Sequence, residues 1–314
     1  MNLRAVAVAV SACSLLACGA SSNPGGGGGD PLDGGPGRDG DASADGADAR
    51  STFDSGGSGD AGLIGDIAAD SGPPPASAAV YAHSSTTLYK LDPTTLAITV
   101  LGDFKDAAGG APISQVTDIA LDKDGVMFGV TFSDLYKIDY KGGPPRCTHL
   151  ATLSTSFNGL TFVPAGMIDP AAETLIGNAN DGGWWRIDVK AGASSATLTQ
   201  LGSYGGGFLS SGDSVGIIGD TVYATVNQST LGIDHVIVVD PKTGAMKKDL
   251  GSTGVSGLYG VGYWGGTMYG FASSGSLYSI DLTTAKATEI PLADKPAGGW
   301  WGAGVTTSAP VTIK

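Results

Sequence analysis

Two large apolar residues followed by a small one recur five times along the chain, at intervals of about 47 residues. The five copies are Val80-Tyr81-Ala82, Met127-Phe128-Gly129, Leu175-Ile176-Gly177, Val222-Tyr223-Ala224 and Met268-Tyr269-Gly270. Short apolar runs bounded by turn residues favour strands over helices. A repeat of this length is typical of propeller blades or of solenoid units. The pattern therefore predicts a repetitive all-β architecture.

A second motif follows each apolar pair and ends in aspartate, at residues 88–92, 135–139, 184–188, 236–240 and 277–281. Its aromatic and β-branched residues predict a strand. The aspartate predicts a hairpin turn, because its side chain accepts hydrogen bonds from the backbone two residues on. We therefore interpret the five aspartates as turn formers rather than as a metal ring or an acid–base pair. They are Asp92, Asp139, Asp188, Asp240 and Asp281.

A third motif precedes the apolar pair and carries glycine, alanine, serine or threonine between its apolar positions. It occupies residues 117–121, 158–162, 214–218 and 257–262. Such thin strands suit the crowded innermost position around a propeller axis. With a further short strand after each turn, as at residues 97–101, every unit supplies four antiparallel strands. Each unit is thus predicted to form one propeller blade.

The two ends of the repeat complement each other. The first unit has no thin strand before Val80, whereas the thin strand at residues 300–306 has no unit after it. If that last strand enters the first blade, the ring closes and its edges are hidden. The sequence thus predicts a five-bladed β-propeller over residues 77–314, closed by the C-terminal strand and monomeric. Six blades would result if residues 158–188 or 204–213 held an extra unit, but the regular spacing favours five.

The N-terminal residues form a different kind of segment. An apolar run over residues 5–16 is too short to span a bilayer as a helix, so residues 1–17 are predicted to be a signal peptide. Leu15-Leu16-Ala17-Cys18 resembles the lipobox of bacterial lipoproteins. This resemblance implies a lipidated Cys18, attachment to a membrane and export, with Gly19 favouring the outer membrane. A secretory peptide with a chance cysteine is the alternative.

Residues 18–76 are rich in glycine, alanine, serine and aspartate and are predicted to be a disordered tether. A flexible chain of this length spans roughly 40 Å. The tether aspartates lack the regular spacing of calcium-binding repeats. The whole chain has a formal net charge of −13 and no cluster of basic residues, which argues against nucleic-acid binding.

The units resemble those of bacterial propeller lipoproteins and of a broad group of quinoprotein-like and surface-repeat propellers. Val239-Asp240-Pro241-Lys242-Thr243-Gly244 is the clearest copy of the shared strand end. Quinoproteins repeat a tryptophan after that glycine, but Met246 occupies the position here. No quinone or other cofactor is therefore predicted. The histidines His83, His149 and His235 have no zinc-site spacing, no metal site is predicted, and Cys147 is interpreted as a buried packing residue.

Function is predicted to lie where the units differ, at one mouth of the channel. Polar and aromatic residues fall at or just before the thin strands, and together they form a hypothetical ligand site: Asp118, Asn158, Asp213, Tyr259 and Trp301. The favoured function is non-catalytic binding of a protein or glycan at the cell envelope, periplasmic or surface-facing, with no catalytic residue assigned. The alternative is a glycan hydrolase that uses Asp118 and Asp213 as its carboxylate pair.

Overall fold

The computed structural model describes residues 79–219, 221–229 and 232–312. The predicted signal peptide (1–17), the lipidated Cys18 and the tether (18–76) lie outside the described residues and stay predictions. No helix in the described part of the chain is long and apolar enough to cross a membrane.

The described residues form twenty-one strands. In chain order these are β1 (Val80–His83), β2 (Thr87–Leu91), β3 (Ile98–Asp103), β4 (Lys105–Asp106), β5 (Asp118–Leu121), β6 (Met127–Val130), β7 (Asp134–Asp139), β8 (Arg146–Thr152), β9 (Gly159–Val163), β10 (Thr174–Asn178), β11 (Gly183–Asp188), β12 (Thr197–Ser203), β13 (Leu209–Gly216), β14 (Val222–Asn227), β15 (His235–Val239), β16 (Met246–Ser252), β17 (Leu258–Trp264), β18 (Thr267–Ala272), β19 (Leu277–Ile280), β20 (Ala287–Ile290) and β21 (Gly302–Gly304).

The strands pair into five sheets, and each sheet is one blade. Blade 1 has the order β21-β1-β2-β3, blade 2 the order β5-β6-β7-β8-β4, and blades 3, 4 and 5 consist of β9–β12, β13–β16 and β17–β20. The innermost strands β21, β5, β9, β13 and β17 each contact the next around a closed ring. The predicted five-bladed, all-β propeller is confirmed, and the residues proposed to hide a sixth unit belong to blades 3 and 4.

The C-terminal strand closes the ring as predicted. β21 pairs antiparallel with β1, with Gly302 opposite His83 and Gly304 opposite Tyr81. A side chain at Gly302 would overlap Asp118 and His83, so only glycine lets this strand approach the axis so closely. The first and last parts of the propeller are therefore joined within one sheet, which leaves no open edge on the inside.

Two features of the strands differ from the sequence prediction. The two-residue β4 adds a fifth, parallel strand to the outer edge of blade 2, pairing Lys105 with Arg146. The inner strand of blade 4 begins at Leu209 rather than 214, because Leu209 and Ser210 already pair with the end of β14. The pairing is then interrupted between Ser210 and Ser214. Asp213 thus lies within this irregularity and not before a strand.

The turn aspartates behave as predicted in four of the five units. Asp92 Oδ1 accepts hydrogen bonds from the backbone of Thr94 and Thr95. The same kind of bond closes the turns after Asp139, Asp240 and Asp281. In the remaining unit the Asp188 carboxylate instead pairs with the Arg186 guanidinium on the same strand.

The core fills the space between neighbouring blades. Trp184 and Trp300 are fully buried, and Trp300 packs edge-to-face against Tyr89 and Phe271 at the junction of blades 1 and 5. Cys147 is buried as predicted, and burial raises the pKa of its thiol to about 12. It is therefore a packing residue and not a nucleophile.

Candidate functional site

One end of the channel opens into a cavity of about 520 Å³, which we call the mouth pocket. Its size is that of typical small-molecule sites. Neutral polar residues form part of the lining: Thr117, Asn158, Asn180, Ser210, Ser211 and Asn227. Three aromatic rings also line it: Phe132, Tyr259 and Trp301. Leu209, Gly212 and Gly257 complete the lining, and none of the described lining residues is charged.

All five inner strands run in the same direction along the axis, so their first residues lie at the same end of the channel. The pocket is at that end. Asn158 immediately precedes β9, Trp301 immediately precedes β21, and Tyr259 is the second residue of β17. The structure therefore brings together three of the five predicted site residues. Asn227 joins them from the end of β14, which returns to the same face.

The lining divides into two halves by blade. The aromatic arc (Phe132, Tyr259 and Trp301) comes from blades 2 and 5 and from the segment entering blade 1. The amide arc (Asn158, Asn180 and Asn227) comes from the neighbouring blades 3 and 4. The mouth pocket is therefore asymmetric, with ring faces on one side and amide groups on the other.

The two other predicted site residues lie beneath the pocket floor. Asp118 and Asp213 are both fully buried. Asp118 accepts hydrogen bonds from the backbone N–H of Leu160 on β9 (2.5 Å) and of Ala303 on β21 (3.1 Å). Asp213 accepts from the N–H of Val261 on β17 at 2.8 Å. Since Asp118 belongs to β5 and Asp213 to β13, the two carboxyls link the inner strands of all five blades.

The two carboxyls also hydrogen-bond to each other. Burial and the neighbouring Asp213 raise the pKa of Asp118 well above its usual range, and burial also raises the pKa of Asp213. Two like charges cannot both be ionised at such close range in a dry environment. Burial and this close contact therefore favour a form in which one of the two carboxyls keeps its proton.

His83 completes this buried group, which we call the acid hub (His83, Asp118 and Asp213). Its Nδ1 lies 2.9 Å from the carbonyl oxygen of Ser84 and must donate to it, since a carbonyl only accepts. Its Nε2 therefore carries a lone pair, lies 3.7 Å from Asp118 Oδ1 and has no hydrogen-bond partner among the described residues. Burial lowers the pKa of His83 to about 4, so the ring is neutral at pH 7.

A further buried carboxylate positions one of the pocket amides. Asp234 accepts hydrogen bonds from Ser211 Oγ and from the Leu258 N–H, both at 2.7 Å, and from Asn227 Nδ2 at 3.3 Å. The amide nitrogen of Asn227 thus faces Asp234, and its Oδ1 has no partner among the described residues. Asn158 is similar, because its Nδ2 donates to the Ser210 carbonyl at 3.5 Å and its Oδ1 is unpaired.

Sequence reasoning missed Phe132, Asn180 and Asn227. Asn227 ends an apolar-pair strand, and Phe132 and Asn180 lie in the following loops, outside the motif that defined the predicted site. The one signal that the sequence offered for Phe132 was a large aromatic residue between Thr131 and Ser133, where a turn is expected. Within residues 79–312, apart from the undescribed positions 220, 230 and 231, no three His, Cys, Asp or Glu side chains are grouped to hold a metal.

Comparison with known proteins identifies no family. No protein-family model matches the sequence, and no curated protein matches it. Among solved structures, BamB from Moraxella catarrhalis is 16% identical (TM-score 0.32; 71% of this chain and 61% of that chain), and AztD from Citrobacter koseri is 16% identical (TM-score 0.30; 72% and 61%). The computationally designed protein Ika8 is 15% identical (TM-score 0.33; 69% and 62%). The chain spans about three fifths of each, and similarity at this level carries no functional argument.

Proposed function

We propose that this chain is a cell-envelope lipoprotein whose propeller is a non-catalytic binding module for a protein or glycan. The observation that carries the proposal is the mouth pocket. It combines aromatic rings at its rim with neutral polar side chains, including two asparagines whose oxygens have no partner among the described residues. Concave sites with a few convergent polar groups are the usual ligand sites of folded domains. Asn158, Tyr259 and Trp301 are the predicted site residues that would contact the ligand directly.

The positions of the carboxyls favour binding over hydrolysis. Glycosidases keep their two catalytic carboxyls about 5 to 9.5 Å apart, with access to the substrate. Here Asp118 and Asp213 are hydrogen-bonded to each other and lie beneath the floor. Their hydrogen-bonding capacity is used by the backbones of neighbouring blades. We therefore assign them to the scaffold.

The envelope location rests on the N-terminal sequence alone. A cysteine that carries several acyl chains holds a protein stably at a membrane, and Cys18 is the residue that the lipobox resemblance designates. The proposed place is the outer membrane, with the propeller in the periplasm or at the cell surface. Replacement of Cys18 by serine should release the protein from the membrane fraction, whereas Cys13→Ser should leave it membrane-bound.

The binding function is tested with the full-length protein in detergent on a glycan array and on an array of envelope-protein peptides. A specific hit on either array should weaken at least tenfold in Trp301→Ala. The matched control is Trp264→Ala, which removes a half-buried tryptophan at the far end of β17. A hit that Trp301→Ala leaves unchanged would place binding elsewhere. Release of reducing ends from any arrayed glycan by the wild-type protein would favour the hydrolase instead.

A further inference from the structure

The amide arc contains two hydrogen-bond acceptors that no described residue satisfies. Asn227 is 6% exposed, and both its Oδ1 and that of Asn158 are buried without a partner among the described residues. The two amide nitrogens already donate to Asp234 and to Ser210, so the amides are held in this orientation. The amide arc thus offers a ligand a neutral polar edge of fixed orientation.

The aromatic arc presents a different chemistry on the opposite side. Phe132 is 45% exposed and Tyr259 is 42% exposed, which is unusual for large rings at the rim of a polar pocket. Because the three rings come from three blades, they are distributed along the rim. Such rings offer flat faces onto which an apolar C–H surface can stack. The ligand must therefore have one apolar face and one polar edge.

The electrostatics of the pocket disfavour a charged ligand. No lysine or arginine is among the described lining residues, so an anion would find no counter-charge from them. Asp234 lies behind Asn227, and it is saturated by hydrogen bonds from Ser211, Leu258 and Asn227. A carboxylate or phosphate on the ligand would approach this buried acid unpaired, and burying an unpaired charge is costly. A cation would likewise find no carboxylate among the described lining residues.

We propose that the ligand of the mouth pocket is an uncharged carbohydrate, an inference that rests on the binding function proposed above. A sugar ring has an apolar C–H face that would stack on Tyr259 or Trp301. Its hydroxyl groups would hydrogen-bond to the neutral polar side chains of the lining, which include Asn158 and Asn180. The pocket thus selects neutral glycans over acidic ones.

Isothermal titration of the full-length protein with soluble oligosaccharides tests this selection. The neutral probes are maltohexaose, cellohexaose, xylohexaose and chitohexaose, and the acidic probe is hexagalacturonic acid. At least one neutral probe should bind, at least tenfold more tightly than the acidic one. Asn158→Ala and Trp301→Ala should each weaken that binding about tenfold or more. Gln200→Ala, which removes an exposed amide from β12 far from the mouth, is the control and should bind like the wild type.

The outcomes separate this inference from the function on which it rests. Equal or tighter binding of the acidic probe would overturn the inference. If no carbohydrate binds but a peptide does, and Trp301→Ala abolishes it, the neutral-carbohydrate ligand is wrong and the binding module stands. If a neutral glycan binds and neither Asn158→Ala nor Trp301→Ala affects it, the mouth pocket is not the site and both proposals fail. Unchanged far-ultraviolet circular dichroism of each variant shows that its fold is retained.

Discussion

The mouth pocket and the acid hub are built from the same inner strands, yet their side chains are used in opposite ways. In the hub, Asp118 and Asp213 carry the potentially charged groups, and these are buried and tied to neighbouring blades. In the pocket, Asn158 and Asn227 are neutral, and their oxygens have no partner among the described residues. The strong hydrogen-bonding groups thus hold the ring together, and neutral ones line the pocket. The carboxyls, which are the chemically more reactive groups, are therefore structural here, and the less reactive amides line the candidate site.

The largest expected effect is on the hub. Asp118→Ala removes the acceptor for two backbone N–H groups and leaves Asp213 without its partner. Each buried donor left without an acceptor costs about 1–3 kcal/mol, so the loss of two should lower the free energy of unfolding by about 2–6 kcal/mol in a urea titration followed by tryptophan fluorescence. Asp294→Ala, an exposed aspartate, should change it by less than about 0.5 kcal/mol. Similar losses in both variants would contradict a structural hub.

The second prediction concerns pH. The pKa of His83 is lowered from 6.5 to about 4 by burial, so unfolded chains take up a proton first as the pH falls. The stability that this group contributes is therefore complete above pH 6.5 and is lost between pH 6.5 and about 4, by about 3 kcal/mol. The raised pKa values of Asp118 and Asp213 act oppositely, since their contribution is lost as the pH rises above the usual aspartate range.

His83→Gln isolates the histidine contribution from that of the aspartates. The difference in unfolding free energy between wild type and variant should change by about 3 kcal/mol between pH 7 and pH 4, in favour of the variant at low pH. Urea titrations at half-unit pH intervals measure it. A difference that stays constant with pH would show that His83 is not held neutral in the folded protein.

A smaller effect is expected from crowding the hub. In Gly302→Ala the added methyl group would overlap Asp118 Oδ1 and His83 Nε2. Overpacking of a well-filled interior costs about 1–3 kcal/mol, which a thermal or urea melt detects. Gly142→Ala is the matched control, because its methyl group would meet open space. If the two substitutions are equally tolerated, the axis is less tightly packed than the structure indicates.

The smallest effect on stability is expected at the mouth. Tyr259 is 42% exposed, so Tyr259→Ala should lower the unfolding free energy by about 1 kcal/mol or less. Binding of a neutral oligosaccharide should nevertheless be weakened, and Tyr259→Phe should restore it by keeping the ring face. A stability loss as large as that of Asp118→Ala would erase the distinction between pocket and hub.

The fold could be predicted from the sequence because its pattern repeats. The five apolar pairs, the turn aspartates and the orphan strand at residues 300–306 each specify local structure, and together they specify a closed ring. The sequence pattern did not predict how far each side chain lies from the mouth along the channel axis. Asp118 is the first residue of β5 and Asn158 lies just before β9, so one position separates a buried scaffold group from a pocket group. The irregular pairing at Ser210 and Ser214 that buries Asp213 depends on the partner strand.

The entry point of the chain into the propeller has a mechanical consequence. β1 begins at Val80, and its antiparallel partner β21 begins at Gly302, next to Trp301, so the chain enters blade 1 at the end opposite the mouth. If the protein is anchored through Cys18 and a ligand pulls at the mouth, the load runs along the strands of blade 1. The hydrogen bonds between β1 and β21 are then loaded together, parallel to the strands, and resist separation of the two strands better than bonds that break one at a time. The strand that closes the ring would also make the module suited to holding a ligand under tension.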